Sequence, residues 1–153
     1  MGKKATSKPG EAVIVLVEDD PVMRRTILDI LEMYGYTVLT ADDGPHALAL
    51  CKCLEGRPDL LLSDCRMPEM SGKELVDELA KVQALPNVLM MTGYPEDEIG
   101  RLGNDPKYPV ITKPFSPADL AKRVGDVLGR PTGVPRRRRR SSTRSQSNPS
   151  LPS

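Results

Sequence analysis

Five side chains in this 153-residue sequence are of the kinds that handle phosphoryl groups together. They are the adjacent acids Glu18 and Asp19, the lone Asp64, the hydroxyl of Thr92 and the ammonium of Lys113. Carboxylates about 5 Å apart repel by roughly 3 kcal/mol per pair at an effective dielectric near 20, so three of them meeting at one place call for a cation. Oxygen ligands suit Mg²⁺, which keeps several waters and joins a few carboxylates to phosphate oxygens. Beside such a metal an ionised aspartate can act as nucleophile while positive groups neutralise the transferring oxygens. Each residue alone has a plainer reading: Asp64 as a carboxylate capping a loop, Lys113 as a solvated loop lysine. The chemistry depends on whether the fold brings the five together.

The elements that must position them alternate along the chain. AVIVLV at residues 12–17 is a continuous β-branched run, the mark of a strand covered on both faces. Pro21 suits a first helical turn, and Val22, Thr26, Ile27, Ile30, Leu31 and Tyr34 recur at helical spacing until Gly35. A second strand over 36–40 and a helix through Ala47, Leu48, Leu50, Cys51 and Leu54 follow, the latter ended by Gly56 and Pro58. The apolar stretch before Asp64 predicts a third strand over 59–63, with Pro68 and Gly72 making a tight loop behind it. Ser71 and Glu74 read as a capping box for a third helix carrying Leu75, Val76, Leu79 and Val82. Residues 87–91 predict a fourth strand, 96–102 a short polar helix crowded by glycine and proline, and 109–112 a fifth strand. Ser116 caps a last helix with Pro117 at its first position and Leu120, Val124, Val127 and Leu128 on its buried stripe.

Five strands alternating with five helices predict an α/β fold, a doubly wound parallel sheet with right-handed crossovers. In such sheets ligands bind beyond the carboxyl ends of the strands. That rule gathers Glu18 and Asp19 from strand one, Asp64 from strand three, Thr92 from strand four and Lys113 from strand five onto one edge.

Composition narrows the rest. One domain over residues 11–130 with tails is the expectation at this length. Neither an apolar run of membrane-spanning length nor a signal segment is visible, so a cytoplasmic protein with no membrane partner is expected. Cys51, Cys53 and Cys65 lack zinc spacing and read as reduced, mostly buried small residues. Residues 1–10 and 131–153 are polar and rich in Gly, Pro, Ser or Arg, and read as a disordered arm and a disordered Arg/Ser-rich tail. The tail holds six arginines and no acid, which leaves 16 basic and 21 acidic side chains in residues 1–130, a net of −5. Arg136–Arg140 is either a solvated run or a weak, non-specific contact for nucleic acid or an acidic partner.

The order and spacing of Glu18-Asp19, Asp64 with Pro68 and Gly72, Thr92-Gly93, and Lys113-Pro114-Phe115 resemble the receiver (CheY-like) domain of two-component response regulators. The likeness covers roughly residues 11–130, and the texture around Thr92 and Lys113 is similar to receivers of hybrid histidine kinases. The resemblance implies a flavodoxin-like fold with strand order 2-1-3-4-5. It implies Asp64 as phosphoacceptor, Asp19 as a Mg²⁺ ligand, Glu18 as a second acid acting through water, and the backbone carbonyl of Arg66 in the metal shell. Thr92 would bond the phosphoryl group and Lys113 would pair with it, with the Lys113-Pro114 bond cis. Asp20 falls one place past the acidic pair and reads as a loop or cap residue.

The resemblance also shows a departure. Many receivers carry Tyr or Phe three residues before the lysine, where this chain has Val110, so a shift of strand-helix faces is expected in place of an aromatic flip. Arg66 and Tyr94, two residues after Asp64 and Thr92, flank the path of an attacking water in the family and are expected to slow dephosphorylation. His46, the only histidine, falls on the polar side of the second helix, so the phosphoryl group must come from a partner histidine kinase, a histidine phosphotransfer protein or a small phosphodonor. The expected function is a stand-alone response regulator, not an enzyme beyond its own phosphorylation and dephosphorylation, which signals through altered protein contacts. A nucleic-acid-associated regulator with the basic tail as effector is the alternative, and a homodimer through the fourth and fifth helices stays open.

Overall fold

Strand β1 (Val13–Val17) lies second in a five-stranded, wholly parallel sheet of order β2-β1-β3-β4-β5, in which β2 is Thr37–Ala41, β3 Leu60–Asp64, β4 Asn87–Thr92 and β5 Val110–Thr112. The structure, a computed structural model, describes residues 12–93 and 109–129. Four helices are described: α1 (Pro21–Met33), α2 (Gly44–Cys53), α3 (Gly72–Ala80) and α4 (Pro117–Leu128). The short helix expected over 96–102 lies outside the described residues, as do the two tails. Among the described residues no helix is long and apolar enough to cross a membrane.

Strand alternation divides the core into two layers. Ile14, Leu16, Leu60, Leu62, Leu89 and Met91 face α1 and α4, where Ile27, Leu31, Leu120 and Val124 meet them. Val15, Val17, Leu61, Val88 and Met90 face the other way, onto Ala47, Cys51, Leu75, Val76 and Leu79 of α2 and α3. Because both faces are covered, β1 and β3 read as unbroken apolar runs instead of alternating ones.

Caps set where the helices begin. Asp20 accepts from the Val22 amide at 3.0 Å ahead of α1, which is the cap role its position suggested. Asp43 accepts from the His46 amide at 2.8 Å, so α2 starts at Gly44, earlier than its apolar positions indicate. Capping boxes pair Ser71 with Glu74 and Ser116 with Asp119, and Gly129 ends α4 at φ 74°. Three stripe assignments are corrected. Val22 and Thr26 are exposed because they sit on the outer side of α1, and Val82 is exposed because α3 stops at Ala80.

Candidate functional site

The carboxyl ends of the strands collect the expected groups. Glu18 follows β1 directly, Asp64 is the last residue of β3, Thr92 the last of β4, and Lys113 the first after β5. All of them line one cleft of about 240 Å³, together with Asp19, Asp20 and Arg66. Lys113 reaches across it: its Nζ lies 2.7 Å from Asp64 Oδ1 and 3.0 Å from Glu18 Oε1. Glu18, Asp64 and Thr92 are buried, at 1%, 6% and 4% exposure, while Asp19 is open to solvent.

Burial of charge is costly unless it is compensated. For Asp64 burial is the largest influence, joined by its hydrogen bond with Glu18, and the Lys113 ammonium offsets them only in part; its carboxyl is pushed up to about 8. Burial also opposes ionisation of Glu18, but hydrogen bonds from the Asp64 carboxyl, the Asp20 amide and Lys113 outweigh it and hold Glu18 below the usual carboxylate range. Burial pulls Lys113 down while Asp64 and Glu18 push it up, and the acids prevail. Without a further cation, then, the surroundings favour a protonated Asp64 beside an ionised Glu18 and the Lys113 ammonium. Glu18, Asp19 and Asp64 each present a carboxylate oxygen, all within 4.8 Å of one another. Three hard oxygen donors, one of them exposed enough to leave room for water, fit Mg²⁺.

The loops that hold these groups have little freedom. Gly72 donates its amide to the Cys65 carbonyl, and a Cβ at Gly72 would stand 2.5 Å from the Asp64 carbonyl oxygen, so only glycine lets the loop pass this close behind the acid. The start of α2 is equally tight: a Cβ at Gly44 would meet the side chain of Met70, in the loop after β3, at 2.7 Å. The tight loop to Gly72 is the one expected from Pro68 and Gly72, whereas the Gly44–Met70 contact cannot be read from the sequence because it joins residues far apart in the chain. The Lys113-Pro114 peptide is cis, as the resemblance implied.

Other expected residues are placed less centrally. Arg66 is exposed at the cleft rim. Val110 is half-buried, and its carbonyl accepts from Arg123 Nη2 at 2.9 Å. Tyr94 and Arg136–Arg140 lie outside the described residues. His46 is on the surface, where its Nδ1 meets Asp42 Oδ1 at 3.1 Å. Cys51 and Cys65 are buried free thiols and Cys53 an exposed one; burial pushes the Cys51 thiol up to about 11, so it carries no thiolate near neutral pH. Arg24 went unnoticed in the sequence, yet its guanidinium donates to the Glu18 carbonyl at 2.7 Å.

Comparison with known proteins decides the family. The profile of the response regulator receiver domain matches residues 14–125. The chain belongs to the response regulator receiver family. It is 39% identical over 127 residues to the sensor kinase CckA of Brucella abortus, covering 82% of this chain and 13% of that kinase. It is 37% identical over 122 residues to the transcriptional regulatory protein CpxR of Klebsiella pneumoniae, covering 76% of this chain and 49% of the regulator. The chain therefore spans at most about half of these relatives. Among solved structures, the receiver domain of the hybrid histidine kinase CckA superposes with a TM-score of 0.65 at 30% identity, covering 76% of this chain and 98% of that domain. A CheY-like receiver from Methanospirillum hungatei superposes at 0.68 with 29% identity, covering 78% and 95%. The receiver fold and its strand order are thus those implied by the four separated motifs.

Proposed function

We propose that Asp64 of this receiver accepts a phosphoryl group from the phosphohistidine of a partner histidine kinase or histidine phosphotransfer protein. The observation that carries this reading is the Lys113 ammonium held between Asp64 Oδ1 and Glu18 Oε1 at the edge of a three-carboxylate cluster. An ionised Asp64 oxygen attacks phosphorus, the phosphorus–nitrogen bond of the donor breaks, and the imidazole leaves with the bond's electron pair. Lys113 stands where it can follow the charge from the carboxylate to the transferred oxygens. Thr92, at the adjacent strand end, offers a hydroxyl to the same group.

Glu18, Asp19 and Asp64, with the Arg66 carbonyl, would hold Mg²⁺, which when bound would supply positive charge for the phosphoryl oxygens and favour the ionised form of Asp64. Phosphorylation adds about −1.5 to −2 charges. It shifts the receiver between conformations only as far as Thr92 and Lys113 hold the new group better in one of them. The output is altered protein contact, with no catalysis beyond the receiver's own phosphorylation and dephosphorylation. Kinship with kinase-borne receivers supports the partner class. Incubation with an autophosphorylated histidine kinase tests the reading: label should pass to the wild type and not to Asp64→Ala, and equal labelling of both would refute it.

A second feature of the site concerns lifetime. Arg66 at the rim, with Tyr94, is proposed to slow water's approach to the aspartyl phosphate. An Arg66→Asn, Tyr94→Glu double variant should dephosphorylate faster; the parent rate would sink this idea. A second reading makes Arg136–Arg140 a nucleic-acid effector, and the name of the CpxR relative, a transcriptional regulatory protein, favours it. Mobility shifts with the full chain and with those five arginines changed to glutamine separate the two, since only the second reading predicts a salt-sensitive shift lost with the arginines.

A further inference from the structure

Asp19 is the one acid of the cluster without packing to hold it. It is exposed, and its position depends on the backbone from which it projects. The peptide that joins it to Glu18 is the pivot. If that peptide plane rotates, the Asp19 carboxylate swings away from Glu18 and Asp64, which are themselves buried and bridged by Lys113.

The structure fixes this pivot from several sides. The Glu18 amide donates to the Ala41 carbonyl at the end of β2 at 3.2 Å. Glu18 Oε2 accepts the Asp20 amide at 3.1 Å. The pivot peptide's own oxygen, the Glu18 carbonyl, lies beyond the last residue of β1 and accepts from Arg24 Nη1 at 2.7 Å. Arg24 is half-buried on the first turn of α1, whose start is set by the Asp20 cap. A hydrogen bond from a guanidinium is among the stronger kinds, and its planar fork loses little freedom on forming. Arg24 is near enough to Asp42, at the end of β2, that after the His46 hydrogen bond its charge also helps to hold that carboxyl low.

We infer that Arg24 is a positioning residue for the cation site: by clamping the Glu18–Asp19 peptide it presets Asp19 for Mg²⁺. This rests on the proposed function of the site and goes beyond it, because Arg24 touches neither metal nor phosphoryl group. Charge alone predicts the opposite effect. A cation near three carboxylates repels Mg²⁺, so removing Arg24 for purely electrostatic reasons would tighten binding.

The experiment is calorimetric Mg²⁺ titration of the full chain as wild type, Arg24→Met and Arg24→Lys, with amide exchange of Asp19 and Asp20 followed by NMR in EDTA. The Met variant keeps the aliphatic stem and should bind Mg²⁺ about ten-fold more weakly, as expected for loss of an outer partner that orients a ligand. Its Asp19 and Asp20 amides should exchange faster without metal, while amides in the core of β3 should be unchanged. The Lys variant, which keeps a donor, should recover part of the affinity. Should the Met variant not fold, Arg24→Gln, too short to reach the carbonyl, takes its place with the same expectation. Unchanged or tighter binding in a folded variant would overturn the role of Arg24. No Mg²⁺ binding by the wild type would instead overturn the reading of the site on which it rests.

Discussion

Leu61 and Asp64 stand three residues apart on β3, both almost wholly shielded from water, and they act on stability in opposite directions. Burying a leucine side chain contributes about 1.5 to 3 kcal/mol. Burying the carboxylate costs enough to push its pKa to about 8 even with Lys113 at 2.7 Å. The apolar length of the sheet therefore supports its carboxyl edge, where groups that a core would reject are held together. The difference teaches where function sits in this fold: at the point where consistency with burial breaks down.

The apolar side of the comparison carries the largest effect. Leu61→Ala should destabilise the protein by about 3 to 4 kcal/mol in urea unfolding, since Leu61 is fully buried between α2 and α3. A loss under about 1 kcal/mol would mean that the layer can collapse around the gap. Lys113→Met comes next. It leaves two buried acids without their counter-charge and should cost about 3 kcal/mol at pH 8, with a smaller loss at pH 5 where Asp64 keeps its proton. An equal loss at both pH values would show that the ammonium acts through packing alone.

Asp64→Asn sharpens the contrast because it should stabilise. The folded-state pKa of Asp64 lies above its ordinary value of 3.8, so its contribution is fully present below pH 4 and is lost as pH rises through about 8. Without Mg²⁺ the Asn variant should be more stable than wild type at pH 8, with the gain growing as pH rises from 4 to 8, and no more stable at pH 4. Added Mg²⁺ should narrow the gap by stabilising the wild type. A gain independent of pH would break the account of Asp64 as a costly buried acid. Ser71→Ala has the smallest effect, about 1 kcal/mol, through loss of the α3 capping box. Its thermal shift should be the same with and without Mg²⁺.

The alternation of strands and helices is legible because each element has its own signal: apolar runs for β1 and β3, a capping box at Ser71 and a cap at Ser116, and glycines past the helix ends. The carboxyl-edge rule then places Glu18, Asp64, Thr92 and Lys113 together from their positions in the chain alone. Helix faces were harder to read. Val22 and Val82 are apolar residues that local spacing cannot distinguish from core, and only the docking of α1 and the end of α3 at Ala80 expose them. The opposite shifts of Glu18 and Asp64 are out of reach as well, since they depend on burial and on distances of a few ångströms. Arg24 was invisible because its meaning lies in a carbonyl, and the sequence gives no sign of which carbonyls lack partners.

Intact mass after treatment with acetyl phosphate tests the central claim most directly. Wild type with Mg²⁺ should gain the mass of one phosphoryl group, which is lost on standing at alkaline pH. Wild type in EDTA and Asp64→Asn with Mg²⁺ should gain none. An adduct of the same mass on Asp64→Asn, or one that forms equally well in EDTA, would contradict the assignment of Asp64 and its acidic neighbours as a metal-assisted phosphoacceptor site.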